Sequence, residues 1–322
     1  MKAVQINKHG GPDVLQLVDI EKPKAQKGQV LVEAYASSIN PFDSKLREGM
    51  VPNIPFPFTM GSDVAGIIVE VGEGVTEFAV GDKVYGSVSA LAGATGAFAE
   101  FVASPVNFLA KMPNSIGFNE AASAVLTGLS AVQALLEHMD LKSRQNILIH
   151  GGAGGIGTIA IQIAKKIGAQ VATTATGNEI EYVKNLGADE VIDYKNQKFD
   201  DMLFEYDAVF DTVGGEVYVR SFKVLKKGGI LVSMVAPVNQ ELAGQFGVKV
   251  ISQFTKPNIK HLNTLTGFIE DGTVKPHIDK IFTLDRIKEA FLAKEAPARS
   301  ATGVAGGGGV KGKIAIEIHP VK

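Results

Sequence analysis

The chain has 322 residues, 45% of them apolar and 20% charged, with a formal net charge of -2 and no cysteine. That length supports two sizeable cores, and so small a net charge provides no basic stripe for nucleic acid. The missing thiols exclude disulfides, a thiolate nucleophile and cysteine-ligated zinc or iron–sulfur sites, and they suit a reducing cytoplasm.

The opening "MKAVQINKHGGPDVLQL" alternates like a first strand and contains no apolar signal core. Up to residue 124, short β-rich runs ("QVLVEAYASSIN", "DVAGIIVEVG", "DKVYGSV") are separated by Gly, Pro and Asn, which predicts a sandwich or barrel-like β domain. From Asn119 to Met139 the apolar spacing becomes helical. Strand and helix text then alternate through residue 263: "NILIH", "QVATTA", "EVIDY", "YDAVFDTV" and "GGILVSMV" are the strands. Such a series predicts a doubly wound parallel sheet with helices on both faces. Residues 264–322 resume mixed text ending in "GKIAIEI" and read as a return to the first domain. The biased stretch "ATGVAGGGG", Ala301 to Gly309, reads as a loop. No apolar run reaches membrane-spanning length, Lys165 and Lys166 interrupting the best candidate.

The informative passage is "NILIHGGAGGIGTIAIQIAKKIGA", Asn146 to Ala169. Gly152, Gly154 and Gly157 satisfy G-x-G-x-x-G directly after a strand and at the opening of a helix. The first glycine permits the tight turn, the second lets a pyrophosphate reach the backbone, and the third brings helix against strand. The N–H groups around Ala153, Gly154, Gly155 and Ile156 would face the phosphates, helped by the helix dipole. NAD-selective sites place an acid about 20 residues further on, at the ribose. Here Thr174, Ala175 and Thr176 stand there, followed by Asn178, and Glu179 is the nearest acid. With no carboxylate to repel a 2′-phosphate and small donors at Thr174, Thr176 and Asn178, NADPH is favoured over NADH; plain β-forming threonines are the alternative.

Beyond the glycine turn, "VGEGVTEFAVGDKVYG", "MGSDVAGIIVEVG" and "AASAVLTGLSAVQAL" occur in an order that resembles the medium-chain dehydrogenase/reductase family along essentially the whole chain. The resemblance implies an α/β protein with two parts. A GroES-like β-rich catalytic domain (1–124, with 264–322 returning to it) would flank a Rossmann-type domain (125–263), and many members are homodimers. Zinc-dependent members carry Cys near Asn40 to Asp43 and His where this chain has Ser62. Asp43 and Asp63 alone are too few ligands, so the chain resembles the zinc-free quinone oxidoreductases and enone or alkenal reductases, with "INPFDSK" in their N-P-x-D-x-K position. That implies hydride transfer from NADPH to a quinone or to the C=C bond of an α,β-unsaturated carbonyl.

By the same resemblance Asn40 lines the nicotinamide pocket, and Thr127 contacts the coenzyme from the linking helix. Tyr194 matches an adenosine-site tyrosine, a buried aromatic being the alternative. Val213 and Met234, Val235 and Ala236 lie at strand C-termini and would wall the nicotinamide. Phe254 packs by the nicotinamide or substrate, or else in an interdomain core. The lysines of "VKGK", Lys311 and Lys313, stand at the entry to the last strand and would assist a 2′-phosphate. For the proton donor, Asp43, Lys45 and Tyr85 are polar candidates beside Asn40, each with a structural alternative, and water is a further source. His150 reads as a packed histidine. Two rivals stand: a low-turnover NADPH-binding protein, like the lens crystallins of this lineage, and a zinc alcohol dehydrogenase.

Overall fold

The computed structural model describes residues 1–296 and 309–320. All of Ala301–Gly309 except Gly309 lies outside the described residues. The first part is built from eight strands: β1 (Lys2–Ile6), β2 (Gln16–Asp19), β3 (Gln29–Ser38), β4 (Phe58–Thr59), β5 (Asp63–Val71), β6 (Lys83–Ser87), β7 (Phe101–Pro105) and β8 (Leu109–Lys111). Between β3 and β4 lies a two-turn helix, α1 (Pro41–Arg47). Helix α2 (Phe118–Val132) follows β8.

The second part alternates β9 (Asn146–Ile149), α3 (Gly155–Ile167), β10 (Gln170–Ala175), α4 (Glu179–Asn185), β11 (Glu190–Asp193), β12 (Tyr206–Asp211), α5 (Glu216–Ser221), β13 (Leu225–Ser233), α6 (Gln240–Phe246), β14 (Lys249–Ser252) and α7 (Ile259–Glu270). Its six strands are all parallel, in the order β11-β10-β9-β12-β13-β14. The order reverses between β9 and β12, so a crevice opens at their carboxyl ends, the usual ligand position in such sheets. The chain then returns through β15 (Ile278–Thr283), α8 (Ile287–Glu295) and β16 (Lys313–Glu317). Strand β16 pairs antiparallel with β3, which makes it part of the first sheet, of order β15-β16-β3-β5-β6-β8 with β7 also on β3.

Residues 124 and 263, where the sequence pattern changes, each fall inside a helix, α2 and α7. Pattern changes mark where the period shifts, whereas these helices are shared by both parts. Helix α2 packs on β3 and β5 on one side and on α3 and α7 on the other. Its alanines permit this: Ala121, Ala122, Ala124 and Ala131 are fully buried. At Gly128 a Cβ would lie 2.5 Å from Leu265 of α7. One continuous core therefore joins Ala36 and Ala65 of the first sheet to Ile147 and Phe210 of the second, and burying that apolar surface holds the cleft walls in register.

Candidate active site

Strand β9 ends at His150, and Gly151 turns the chain at φ +71. The turn is sewn to the end of β10: Gly151 N–H donates to Thr174 Oγ1 at 3.0 Å, and Gly152 N–H donates to the Thr174 carbonyl at 3.1 Å. A Cβ on Gly152 would lie 2.1 Å from Thr173 Oγ1, and one on Gly157 would lie 2.3 Å from the Gly151 carbonyl. On Gly155 it would press Thr127 Cγ2 and Lys313 Cδ at 2.9 and 3.0 Å. Gly154 differs: its backbone (φ -76, ψ 170) is open to any residue, and a Cβ would meet nothing nearer than the Gly151 carbonyl at 3.3 Å. Protein atoms therefore account for Gly152, Gly155 and Gly157, and leave Gly154 free for an external group. Helix α3 starts there, so the N–H groups of Gly155, Ile156 and Gly157 have no intrahelical acceptor and, with that of Ala153 beside them, suit a diphosphate.

At the ribose end the structure redistributes the expected donors. Thr174 is buried with its hydroxyl oxygen engaged by the turn, and Thr176 Oγ1 donates to Asp193 at 2.7 Å. Thr174 thus braces the turn, and the Thr176 hydroxyl is spent on the Asp193 carboxylate. Asn178 is exposed, and its carbonyl accepts from Lys311 Nζ at 3.1 Å. Tyr194 is 40% exposed, so it is not a buried core aromatic. Its hydroxyl is held above the ordinary tyrosine range by burial and by the charges of Glu179 and Asp193.

The coenzyme's other end would meet the termini of β12 and β13. Asp211, fully buried, accepts N–H donors from Val213 and Gly214 at 2.9 and 2.8 Å, and the Ser233 hydroxyl at 2.7 Å. Ser233 Oγ in turn accepts from Val235 and Ala236 N–H. One buried carboxylate thus sets both loops, leaving Val213 and Met234 half-buried and Val235 46% exposed at the rim. Sequence reading missed Asp211 and Ser233; polar residues ending apolar strands ("VFD", "LVS") were the available signal. An open cavity of about 610 Å³ behind this wall, lined by Gly215, Tyr218 and 235–240, shares only Val235 and Ala236 with it. Gln253 and Thr255 are both held to Ser130, by bonds of 3.1 and 2.7 Å. Phe254 between them is 71% exposed, not interdomain core, and meets Phe42 of α1 edge-on at 6.0 Å.

Beneath the glycine turn lies a buried polar cluster. Pro41 opens α1 and Asn40 precedes it, with Asp43 reaching back to accept the Asn40 N–H at 2.7 Å. Asn40 Nδ2 donates to Asp63 Oδ2 at 2.7 Å, as does Ser38 Oγ. Lys313 Nζ donates to Asn40 Oδ1 and, at 2.9 Å, to the Ile39 carbonyl. It stands 3.6 Å from Asp63. Burial pushes Asp43 up to about 7, opposed by the Asn40 N–H and Lys313 and reinforced by Asp63. Burial also raises Asp63 and lowers Lys313, each effect opposed by the other's charge. Both ends of the Asn40 amide are thus engaged inside the protein. Lys313 is drawn into this cluster, away from Thr176 and Asn178, because its aliphatic stem runs past Gly155 before the amine turns to Asn40.

The other candidates lie apart. Lys45 is exposed on α1. Tyr85 is fully buried, its hydroxyl donating to the Leu262 carbonyl at 3.1 Å and meeting Thr266 Oγ1 at 2.9 Å, with its pKa raised by burial. That hydroxyl fastens β6 to α7. His150 is also buried, 3.0 Å from Ser221 Oγ and edge-on to Phe199. Burial, opposed by Asp211 and aided by Arg220, lowers it to about 4.

Zinc does not fit this donor set. Asn40, Asp43, Ser62 and Asp63 provide no thiolate or imidazole, one oxygen of each carboxylate is already engaged, and the Lys313 ammonium beside Asp63 would repel a divalent cation. A reduced dinucleotide does fit: Gly154 leaves room, the helix N-terminus is open, and residues 174–178 carry no acid.

Two family models match the chain: an alcohol dehydrogenase GroES-like domain over residues 26–114 and a zinc-binding dehydrogenase over 186–299. A chloroplastic NADPH-dependent alkenal/one oxidoreductase of Arabidopsis thaliana is 36% identical over 302 residues, covering 90% of this chain and 75% of that protein. The quinone oxidoreductase structure from Coxiella burnetii superimposes with a TM-score of 0.89 at 32% identity, over 99% of each chain. The Escherichia coli quinone oxidoreductase complexed with NADPH gives 0.87 at 27% identity, over 98% of this chain and 100% of that one. With these similarities and a Rossmann-type sheet closed against a GroES-like one, the chain belongs to the medium-chain dehydrogenase/reductase family, on its quinone oxidoreductase and enone reductase side.

Proposed function

We propose that this protein is a zinc-independent, NADPH-dependent oxidoreductase that reduces a quinone or the C=C bond of an α,β-unsaturated carbonyl. The observation that carries the reading is Gly154, where an added Cβ would meet only the Gly151 carbonyl, at 3.3 Å, in a turn whose other motif glycines are crowded far more closely by protein atoms. When bound, NADPH supplies a hydride from its nicotinamide ring. The backbone of Ala153, Gly154, Gly155 and Ile156 binds the diphosphate, and Asn178 and Tyr194 border the adenosine. Val213, Met234, Val235 and Ala236 back the nicotinamide, while Thr127 and Lys313 support the turn from beneath. Phe254 and Phe42 flank the acceptor. Asn40 acts as a positioning residue, because its amide is engaged by Lys313 and Asp63.

A conjugated acceptor suits a site without a Lewis acid, since its own carbonyl delocalises the arriving charge. Solvent supplies the proton: the Tyr85 hydroxyl is occupied and Asp43 lies buried in the cluster. We also place the protein in the cytoplasm as a homodimer. Its lack of cysteine and the exposed edge of β14 support these two points.

The experiment follows NADPH absorbance with a simple enone and with quinones, alongside metal analysis and sedimentation velocity. Turnover that survives chelation, with no bound zinc, is expected. Saturable binding without oxidation by either acceptor class would replace this reading with the low-turnover coenzyme-binding protein. Stoichiometric zinc with chelator-sensitive alcohol oxidation would replace it with the alcohol dehydrogenase.

A further inference from the structure

The geometry points to Asp211 as a charge that favours hydride donation: with Ser233 it makes the nicotinamide wall electronegative, which suits the oxidised ring better than the reduced one. This inference rests on the coenzyme reading above, and Asp211 is a positioning residue that acts through two loops. It ends β12 fully buried and makes no ion pair among the described residues. Its Oδ1 accepts the N–H groups of Val213 and Gly214 at 2.9 and 2.8 Å, and its Oδ2 accepts the Ser233 hydroxyl at 2.7 Å. The Ser233 oxygen accepts in turn from the N–H groups of Val235 and Ala236 at 3.2 and 3.0 Å. Gly214, at φ +78, gives the first loop its sharp turn, and a Cβ there would lie 2.8 Å from Val235 Cγ2 of the second. Two loops in contact thus turn four N–H groups onto one anion and its attached hydroxyl.

In a trans peptide the C=O runs opposite to the N–H. The carbonyls of Thr212, Val213, Met234 and Val235 therefore face away from Asp211, and none of them accepts a backbone hydrogen bond among the described residues. Their negative ends, with the buried carboxylate behind them, lie along the crevice wall. The neighbouring basic groups do not offset that charge. Arg220 is paired with Asp200, and burial lowers His150 to about 4, which leaves it neutral near pH 7. The charge is felt across the loops, since Tyr218 is raised by burial and further by Asp211. In hydride donation the C4–H bond of the coenzyme breaks, its electron pair passes to the acceptor and the neutral ring becomes a cation; solvent then supplies the proton. A fixed electronegative wall stabilises that developing positive charge without reorganising.

The test measures dissociation constants of the full-length protein for NADP+ and NADPH by calorimetry, for wild type, Asp211→Asn and Ser233→Ala. Asp211→Asn removes the charge at nearly constant volume and should raise the NADP+ to NADPH ratio of these constants about tenfold, the scale of a unit charge acting across several ångström of protein. Hydride transfer in a single turnover should slow by a similar factor. Ser233→Ala keeps the anion but releases the Val235 and Ala236 peptides, so the ratio should rise less, about threefold. Should Asp211→Asn fail to fold, the Ser233→Ala ratio decides alone. Equal weakening of both coenzymes, with the ratio unchanged, would make Asp211 a mere brace of the loops and overturn the inference; NADPH binding itself would then still stand. A wild-type protein that binds neither coenzyme would overturn both readings.

Discussion

Gly154 and Gly157 stand three positions apart in one motif and answer to different neighbours. At Gly157 the conflict is internal, a Cβ falling 2.3 Å from the Gly151 carbonyl and 2.7 Å from Gly152 Cα. Gly157→Ala should therefore push α3 off β9 and lower unfolding stability by about 1–3 kcal/mol, measured by denaturant titration without coenzyme. At Gly154 only one contact, at 3.3 Å, meets the added carbon. Gly154→Val should melt near the wild-type temperature yet lose NADPH binding by well over tenfold, about 1.4 kcal/mol or more. Equal coenzyme affinity in a folded Gly154→Val protein would remove the basis of the functional reading. The motif itself was legible in the sequence because its spacing is local. So was the division of labour, the second glycine for the ligand and the third for packing; the atoms that enforce it, Thr173 against Gly152 and the Gly151 carbonyl against Gly157, came only from the structure.

Strand β16 and helix α1 meet although about 270 residues separate them, and their meeting creates the polar cluster. Its local half could be read from "INPFD": a proline at the first helical position and an acid two residues on make a helix start. Its other half could not, because nothing near Asn40 in sequence announces Lys313 or Asp63. The resemblance placed Lys313 near a 2′-phosphate; pairing of β16 with β3 carries its amine to Asn40 instead. Lys313→Met would leave Asp43 and Asp63 buried without a cation and should cost roughly 3–5 kcal/mol. Adding Asp63→Asn should recover part of that loss, because the uncompensated charge is then gone. Urea titration of the single and double variants checks this, and simple additivity would argue against a coupled cluster.

The molecule's pH response combines two buried groups that act in opposite directions. Asp43, raised from 3.8 to about 7, keeps a proton in the native state that the unfolded chain has already lost. Its contribution is present at low pH and disappears as pH rises through 7. His150, lowered from 6.5 to about 4, lacks a proton that the unfolded chain carries, so its contribution is lost as pH falls. The two oppose each other between pH 4 and 6.5, and Asp63 reinforces Asp43. In Asp43→Asn the His150 slope should emerge, so the variant gains stability relative to wild type from pH 4 to 7 and the gap stays constant above that. Chemical denaturation across that range measures it, and parallel curves would contradict the assignment.

By itself the sequence determined the parts whose causes lie within a few residues: the β-rich opening, the βαβ alternation, the glycine turn and its helix, and the lack of thiol or imidazole ligands for zinc. Hydrophobic period, turn chemistry and composition carry that information locally. Only the tertiary structure decided which side chains share the cleft. It turned Thr174 inward, fixed Tyr85 to α7, exposed Phe254 and Tyr194, placed Asp211 beneath both loops and brought Lys311 to the Asn178 carbonyl. These outcomes depend on strand pairing and packing between distant segments. The direction a polar side chain takes there is set by whichever buried donor or acceptor would otherwise lack a partner.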